Sequence, residues 1–260
     1  TPLYSSAASD AYKRQSLYIT DKSCMNKADD CGDNLGVFLQ RNEHQTFTSP
    51  YWSPDGKWVY YSYQEDLLDD AGNYIGFSMS LNRMQANGNG IPEILIPYAG
   101  QPSMSVDGSL LTYVSYDLET YARGLWVCEP DGSNPRQVVP DNMFGAIAAP
   151  QFSPDGSEIA FAASAMPMAN ESSGLTWLDS LLGVRKASAH GWRWEIWKVP
   201  ITGDDPVQLT RLRLDSPWPA WSPLGGDLAI LRLGGVYLLR DGDAILLGPA
   251  LGHGQLVWCC

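Results

Sequence analysis

One stretch constrains this chain more than any other. Pro50-Tyr51-Trp52-Ser53-Pro54-Asp55-Gly56-Lys57-Trp58-Val59-Tyr60-Tyr61 reads as strand, tight turn, strand. Pro54 presets φ for a turn, Asp55 can bond back to its own backbone, and Gly56 accepts a positive φ. Trp58 to Tyr61 is aromatic and β-branched, which suits a pleated strand. The stretch recurs from Pro150 through Ser153-Pro154-Asp155-Gly156 to Phe161, and more loosely from Pro102 through Ser105-Val106-Asp107-Gly108 to Tyr113. A fourth copy runs from Pro219 through Ser222-Pro223-Leu224-Gly225 to Ile230. Recurrence at roughly 40–70-residue spacing is the mark of a repeat architecture.

A second hairpin lies between the copies. Gly36-Val37-Phe38-Leu39-Gln40 leads through a polar turn to Gln45-Thr46-Phe47-Thr48, and four further pairs follow, beginning at Gly76, Leu125, Glu195 and Gly235. Five second hairpins against four first hairpins leave one incomplete unit. Leu256-Val257-Trp258 supplies a first strand for it, and Ser16-Leu17-Tyr18-Ile19-Thr20 a second. The expected fold is all-β: a single β-propeller of four-stranded blades, five in number with six as the alternative. Its ring would be closed by the C-terminal strand joining the N-terminal blade, which removes strand edges. Residues 1–15 read as a small-residue tail left by processing, and 16–260 as the propeller, with a partly helical insertion at 165–194.

The Ser-Pro-Asp-Gly turns after a proline and an aromatic residue resemble the TolB-like, WD40-like propeller repeats. The resemblance covers nearly the whole chain, and only Leu224 departs from the Asp-Gly pattern. It implies the fold and little of the function, because that family includes periplasmic interaction proteins and the propeller halves of serine peptidases.

With the strands of a blade labelled a to d, the a–b and c–d turns share one face, and the b–c and d–a connections share the other. The b–c connections are long in four blades: 21–35, 64–73, 116–121 and 165–194. Long loops on a rigid scaffold are where binding usually sits. The candidate binding residues are therefore Asp29, Asp30, Asp66, Asp69, Asp70, Asp117, Glu119, Trp177, Trp192, Asp215 and His253. They read as solvated loops, as a surface for a protein partner, or as a Ca²⁺ site, since clustered carboxylates suit a hard cation. No EF-hand spacing is present, and no cofactor is required by any motif. In the 165–194 insertion Leu175, Leu178, Leu181 and Leu182 recur at helical spacing, either as a helix packed on the propeller or as a docking helix. Trp192, Trp194 and Trp197 are expected on one side of a strand, and an exposed Trp192 could stack on a sugar.

Net charge is −12, which argues against nucleic acid and admits a basic partner. No apolar run is long enough to span a membrane. Cys24 and Cys31 close an Asp-rich loop and are expected to form a disulfide, which places the chain outside the cytosol, whereas Cys128 reads as a buried thiol. No Gly-x-Ser-x-Gly, Walker or Rossmann motif occurs. His190 and His253 fall on the long-loop face and His44 in a c–d turn on the other, so three His ligands are not expected to converge. Thr46, Tyr98, Ala146, Asp215 and Gly252, expected where each first strand starts near the axis, do not form a carboxylate ring. The leading expectation is a non-enzymatic, extracytoplasmic propeller that binds a protein as a module of a larger surface or envelope assembly. The alternative is a carbohydrate-active or metal-dependent enzyme using the same face.

Overall fold

The structure, a computed structural model, describes residues 16–19, 36–165 and 193–250. Among the described residues every regular element is a strand. A two-stranded sheet holds β1 (Leu17–Ile19) and β2 (Gly36–Leu39). Four four-stranded antiparallel sheets follow, each in sequence order. The first comprises β3 (Gln45–Trp52), β4 (Trp58–Leu68), β5 (Tyr74–Gln85) and β6 (Glu93–Pro97). The next comprises β7 (Ala99–Met104), β8 (Leu111–Tyr116), β9 (Arg123–Cys128) and β10 (Arg136–Val139). Then come β11 (Ala146–Phe152), β12 (Glu158–Ser164), β13 (Trp194–Pro200) and β14 (Val207–Gln208). The last comprises β15 (Trp218–Trp221), β16 (Leu228–Arg232), β17 (Gly235–Arg240) and β18 (Asp243–Gly248). These five sheets are the blades of a propeller, blades one to five in chain order.

The core lies between blades. Tyr60 and Leu81 of blade two meet Met104, Leu111 and Tyr113 of blade three. Val114, Leu125 and Val127 meet Ile147, Phe152, Ile159 and Phe161 of blade four. Ala160, Ala162 and Ile196 meet Leu228, Ile230 and Leu239 of blade five. Successive strand residues point to opposite faces, so Tyr60 and Tyr61 serve different interfaces, the latter packing with Leu17, Phe47 and Met84. A strand buried on both sides needs a continuous apolar run, which is why Val59-Tyr60-Tyr61 and Ile159-Ala160-Phe161 interrupt no polar alternation. Burying a side chain such as Phe161 contributes about 1.5–3 kcal/mol.

The same rule corrects the tryptophan expectation. Trp194 and Trp197 are three apart in β13, so they face opposite ways: Trp197 packs with Phe144 between blades three and four, and Trp194 packs between four and five.

Blade one also differs from expectation. Gln45-Thr46-Phe47-Thr48 is not its last strand. It is the first half of β3, where Gln45 pairs with Glu65 of β4. A turn closed by the Asn42 side chain on the His44 N–H (2.8 Å) carries β2 directly into β3. So direct a link makes β2 the outermost strand of its blade and β1 the third. The C-terminal strand expected at Leu256-Val257-Trp258 lies outside the described residues.

In β3, β7 and β11 the register with the next strand slips by a bulge. Ser49, Gln101 and Ala149 sit there at φ of 50°, 55° and 53°, each followed by a proline. Proline has no N–H to lose, so it suits a bulge. Two of the bulges are tied to a neighbouring blade. The Gln101 N–H donates to Ser62 Oγ of blade two (2.8 Å), and Gln101 Oε1 accepts the Ala149 N–H of blade four (2.6 Å). A Cβ at Gly100 would lie 2.8 Å from Ser62 Oγ, so this approach requires glycine. β15 carries no bulge.

Candidate functional site

The short-turn face repeats one device. Ser53 Oγ–H donates to Asp55 Oδ1 (2.6 Å) while Ser53 Oγ accepts the Trp58 N–H (2.9 Å), and Asp55 accepts the Lys57 N–H (3.0 Å). Ser105 with Asp107 and Ser153 with Asp155 reproduce these bonds. The serine hydroxyls, aided by the backbone donors, hold Asp55, Asp107 and Asp155 at about 2. In blade five Leu224 stands in place of the aspartate and is 97% exposed, yet Ser222 keeps the same backbone turn with Asp227 and Gly225. These turns are architecture.

The opposite face is irregular. Its most prominent part is the β4–β5 hairpin. The first half of the expected 64–73 loop is strand: pairing continues from Trp58↔Gln85 to Leu68↔Tyr74, leaving 69–73 as a turn. β3 accompanies β4 only to Glu65, and β6 accompanies β5 only to Ser80. Beyond those points the hairpin projects as a two-stranded ribbon. A register shift at Leu67/Leu68 leaves Ile75 as a bulge, which breaks the in–out alternation. Leu67, Leu68, Tyr74 and Ile75 are exposed at the tip, Tyr74 at 60% and Ile75 at 65%.

The acidic candidates divide. Asp69 accepts the Ala71 and Asn73 N–H groups (2.9 and 2.8 Å) and the Asn73 side-chain amide (3.0 Å), so it closes the hairpin turn, and the Asn73 bonds lower its carboxyl. Asp117 does the same in the β8–β9 turn, accepting the Glu119 and Thr120 N–H groups (2.8 and 2.9 Å), and the Thr120 bond leads the lowering of its carboxyl. Asp70 and Glu119 are exposed beside these turns, Asp66 lies in β4, and Asp215 is exposed ahead of β15. Among the described residues no three His, Cys, Asp or Glu side chains gather as a metal-ligating group. Asp29, Asp30, Trp177, Trp192 and His253 lie outside the described residues, as do Cys24, Cys31 and the helical segment. Cys128 is a buried thiol, pushed up to about 12 by burial.

His44 changes sides. The Asp66 N–H donates to the His44 carbonyl (2.9 Å), which puts His44 at the end of β4, on the long-loop face. His44 therefore shares the face expected for His190 and His253, which lie outside the described residues. Its imidazole lies 3.2 Å from the Glu43 carboxylate.

What the acid-centred reading missed is apolar. Tyr98, between β6 and β7, and Tyr121, in the β8–β9 turn, are both exposed on this face, as are Met143, Leu212 and Leu233 in its other connections. The signal was available: Tyr74-Ile75 and Leu67-Leu68 flank the Asp-rich turn where solvent-facing positions should be polar. The bulges lie close together. Ser49, Gln101, Ala149, Gln151 and Trp218 line a void of about 10 Å³, the size of one water. A wider groove of about 430 Å³ opens at the rim between Thr210, Arg211 and Leu212 of blade four and Leu239, Asp243 and Ala244 of blade five.

No family model matches the sequence, and no curated protein matches it. Solved structures do. TolB from Acinetobacter baumannii is similar with a TM-score of 0.57 at 16% identity, over 90% of this chain and 49% of that one. The fold is that of the TolB-like β-propellers. A nidogen/laminin complex is similar with a TM-score of 0.59 at 12% identity, over 91% of this chain and 76% of that one. A puromycin-hydrolyzing peptidase from Mycobacterium tuberculosis follows with a TM-score of 0.56 at 15% identity, over 97% of this chain and 39% of that one. This chain thus spans about half the length of the TolB it matches. The β-propeller fold is what these likenesses share.

Proposed function

We propose that this propeller binds a partner protein on its long-loop face. It does so without catalysis, outside the cytosol, as a module of a larger surface or envelope assembly. The observation that carries the reading is the projecting β4–β5 hairpin with Leu67, Leu68, Tyr74 and Ile75 exposed at its tip. Tyr98 and Tyr121 extend the same face. Aromatic side chains that are exposed at one end of a rigid scaffold, with acidic turns around them, have the make-up of a protein-binding surface. The similarity to a propeller solved as a nidogen/laminin complex supports a binding role. The extracytoplasmic setting rests on the resemblance to repeats found in periplasmic interaction proteins and on the expected Cys24–Cys31 disulfide.

The test is site-specific photo-crosslinking in the native host. A benzophenone side chain at Tyr74 or Tyr121 is expected to trap one common partner, and the same group at Val106 or Leu224, on the short-turn face, is expected to trap none. Equal trapping from both faces, or trapping from the short-turn face alone, overturns the reading.

A further inference from the structure

Among the described residues the projecting hairpin has an unpaired edge as well as an apolar tip. The Tyr98 N–H donates to the Met79 carbonyl (2.9 Å), so at Met79 the backbone of β5 still points toward β6. Tyr98, at φ 53°, then turns the chain away into β7. In a strand, residues two apart present their N–H and C=O on the same side. Phe77 must therefore aim both groups at the position that β6 has left. A second observation agrees. Asp66, the residue opposite Phe77, gives its N–H to His44 on the far side, so Asp66 and Phe77 form a pair without mutual hydrogen bonds. Among the described residues no strand lies beside Phe77 on that edge.

Natural edges of this kind are usually guarded by lysine, proline or an inward charge. The stretch 58–82 holds no lysine, arginine or proline, and its only charged residues are Glu65, Asp66, Asp69 and Asp70. A strand edge that is open, apolar and flanked by acids suits one kind of occupant.

We propose that an extended, basic segment of the partner protein adds as a strand beside β5 at Phe77, continuing the line of β6, with its apolar side chains against Tyr74, Ile75 and Tyr98. Main-chain bonds supply the register and the side chains supply the selectivity, as in other strand-addition complexes. The proposal rests on the long-loop face being the docking face and specifies how the docking is done.

The experiment uses the full chain and a defined probe, a fluorescent KVKVKVK peptide, followed by anisotropy and by amide hydrogen exchange. Binding is expected, with slower exchange at the Phe77 amide. An EVEVEVE peptide is expected not to bind. N-methylation of alternate residues on the pairing edge of KVKVKVK is expected to weaken binding by about tenfold, the size of one net hydrogen bond. Phe77→Pro should do the same, and it spares the β4–β5 ladder because the Phe77 N–H does not pair with β4. Asp70→Lys should weaken binding about threefold. No binding at about 1 mM peptide overturns strand addition. So does binding that is indifferent to N-methylation and leaves Phe77 exchange unchanged. Crosslinking from Tyr74 and Tyr121 reads the docking face separately, so either idea can fail alone.

Discussion

On the short-turn face, Ser53, Ser105 and Ser153 each clasp an aspartate two residues on and tie it to the next strand, blade after blade. Among the described residues three strand connections of the long-loop face are all unlike: β4–β5 is a projecting ribbon, β8–β9 a six-residue turn closed by Asp117, and β16–β17 the tight Leu233-Gly234 reversal. Aspartate is used on both faces to shape turns. The difference is what surrounds it. Around the repeated turns the exposed positions are mostly small or polar, while around Asp69 they are leucine, tyrosine and isoleucine. Regularity marks the face that holds the ring together, and exposed apolar side chains mark the face free to meet something else.

That contrast can be broken from either side. The scaffold beneath both faces should be most sensitive: Phe161→Ala, at a fully buried site between blades three and four, is expected to cost about 3–5 kcal/mol in urea unfolding. Ser153→Ala removes the Oγ that accepts the Glu158 N–H, and unfolding should show a loss of about 1 kcal/mol. Tyr74→Ser on the opposite face should change stability by less than about 0.5 kcal/mol while abolishing partner capture. A stability loss as large as that of Ser153→Ala would show that the hairpin tip is structural. Leu224→Asp restores the missing member of the fourth turn and replaces an exposed leucine, and a rise in Tm on the order of a degree or two is expected. The smallest effect is in acid. Asp55, Asp107 and Asp155 have folded values near 2, below their unfolded values near 4, so their contribution is present above about pH 4 and is lost as pH falls through about 2. Asp155→Asn should flatten that limb of a Tm-against-pH curve, and Asp69→Asn should do so on the other face.

Much of the architecture was legible in the chain, because a turn built from proline, aspartate and glycine is local chemistry and repeats wherever those residues do. Blade one was read one strand out of step. Gln45-Thr46-Phe47-Thr48 follows a polar turn just as a fourth strand would, and only its pairing with β4 shows that it runs on into Pro50-Tyr51-Trp52. The same slip put His44 on the wrong face. At the candidate site, composition drew attention to Asp69 and Asp117, but whether a carboxylate is spent on its own backbone depends on turn geometry, which residue type alone does not specify. Tyr74 and Ile75 carried a signal, their place beside an Asp-rich turn, but only the end of the neighbouring strand shows that they are exposed.

Gln101 joins three successive blades through one residue, its backbone N–H bonded to Ser62 and its side-chain oxygen to the Ala149 N–H. In a linear array of repeats each unit can melt with only its neighbours' consent, and the array frays from its ends. Here a loosened blade three withdraws a bond from the blades on both sides of it. The expected consequence is mechanical: a strain that loosens Gln101 is felt in blades two and four together.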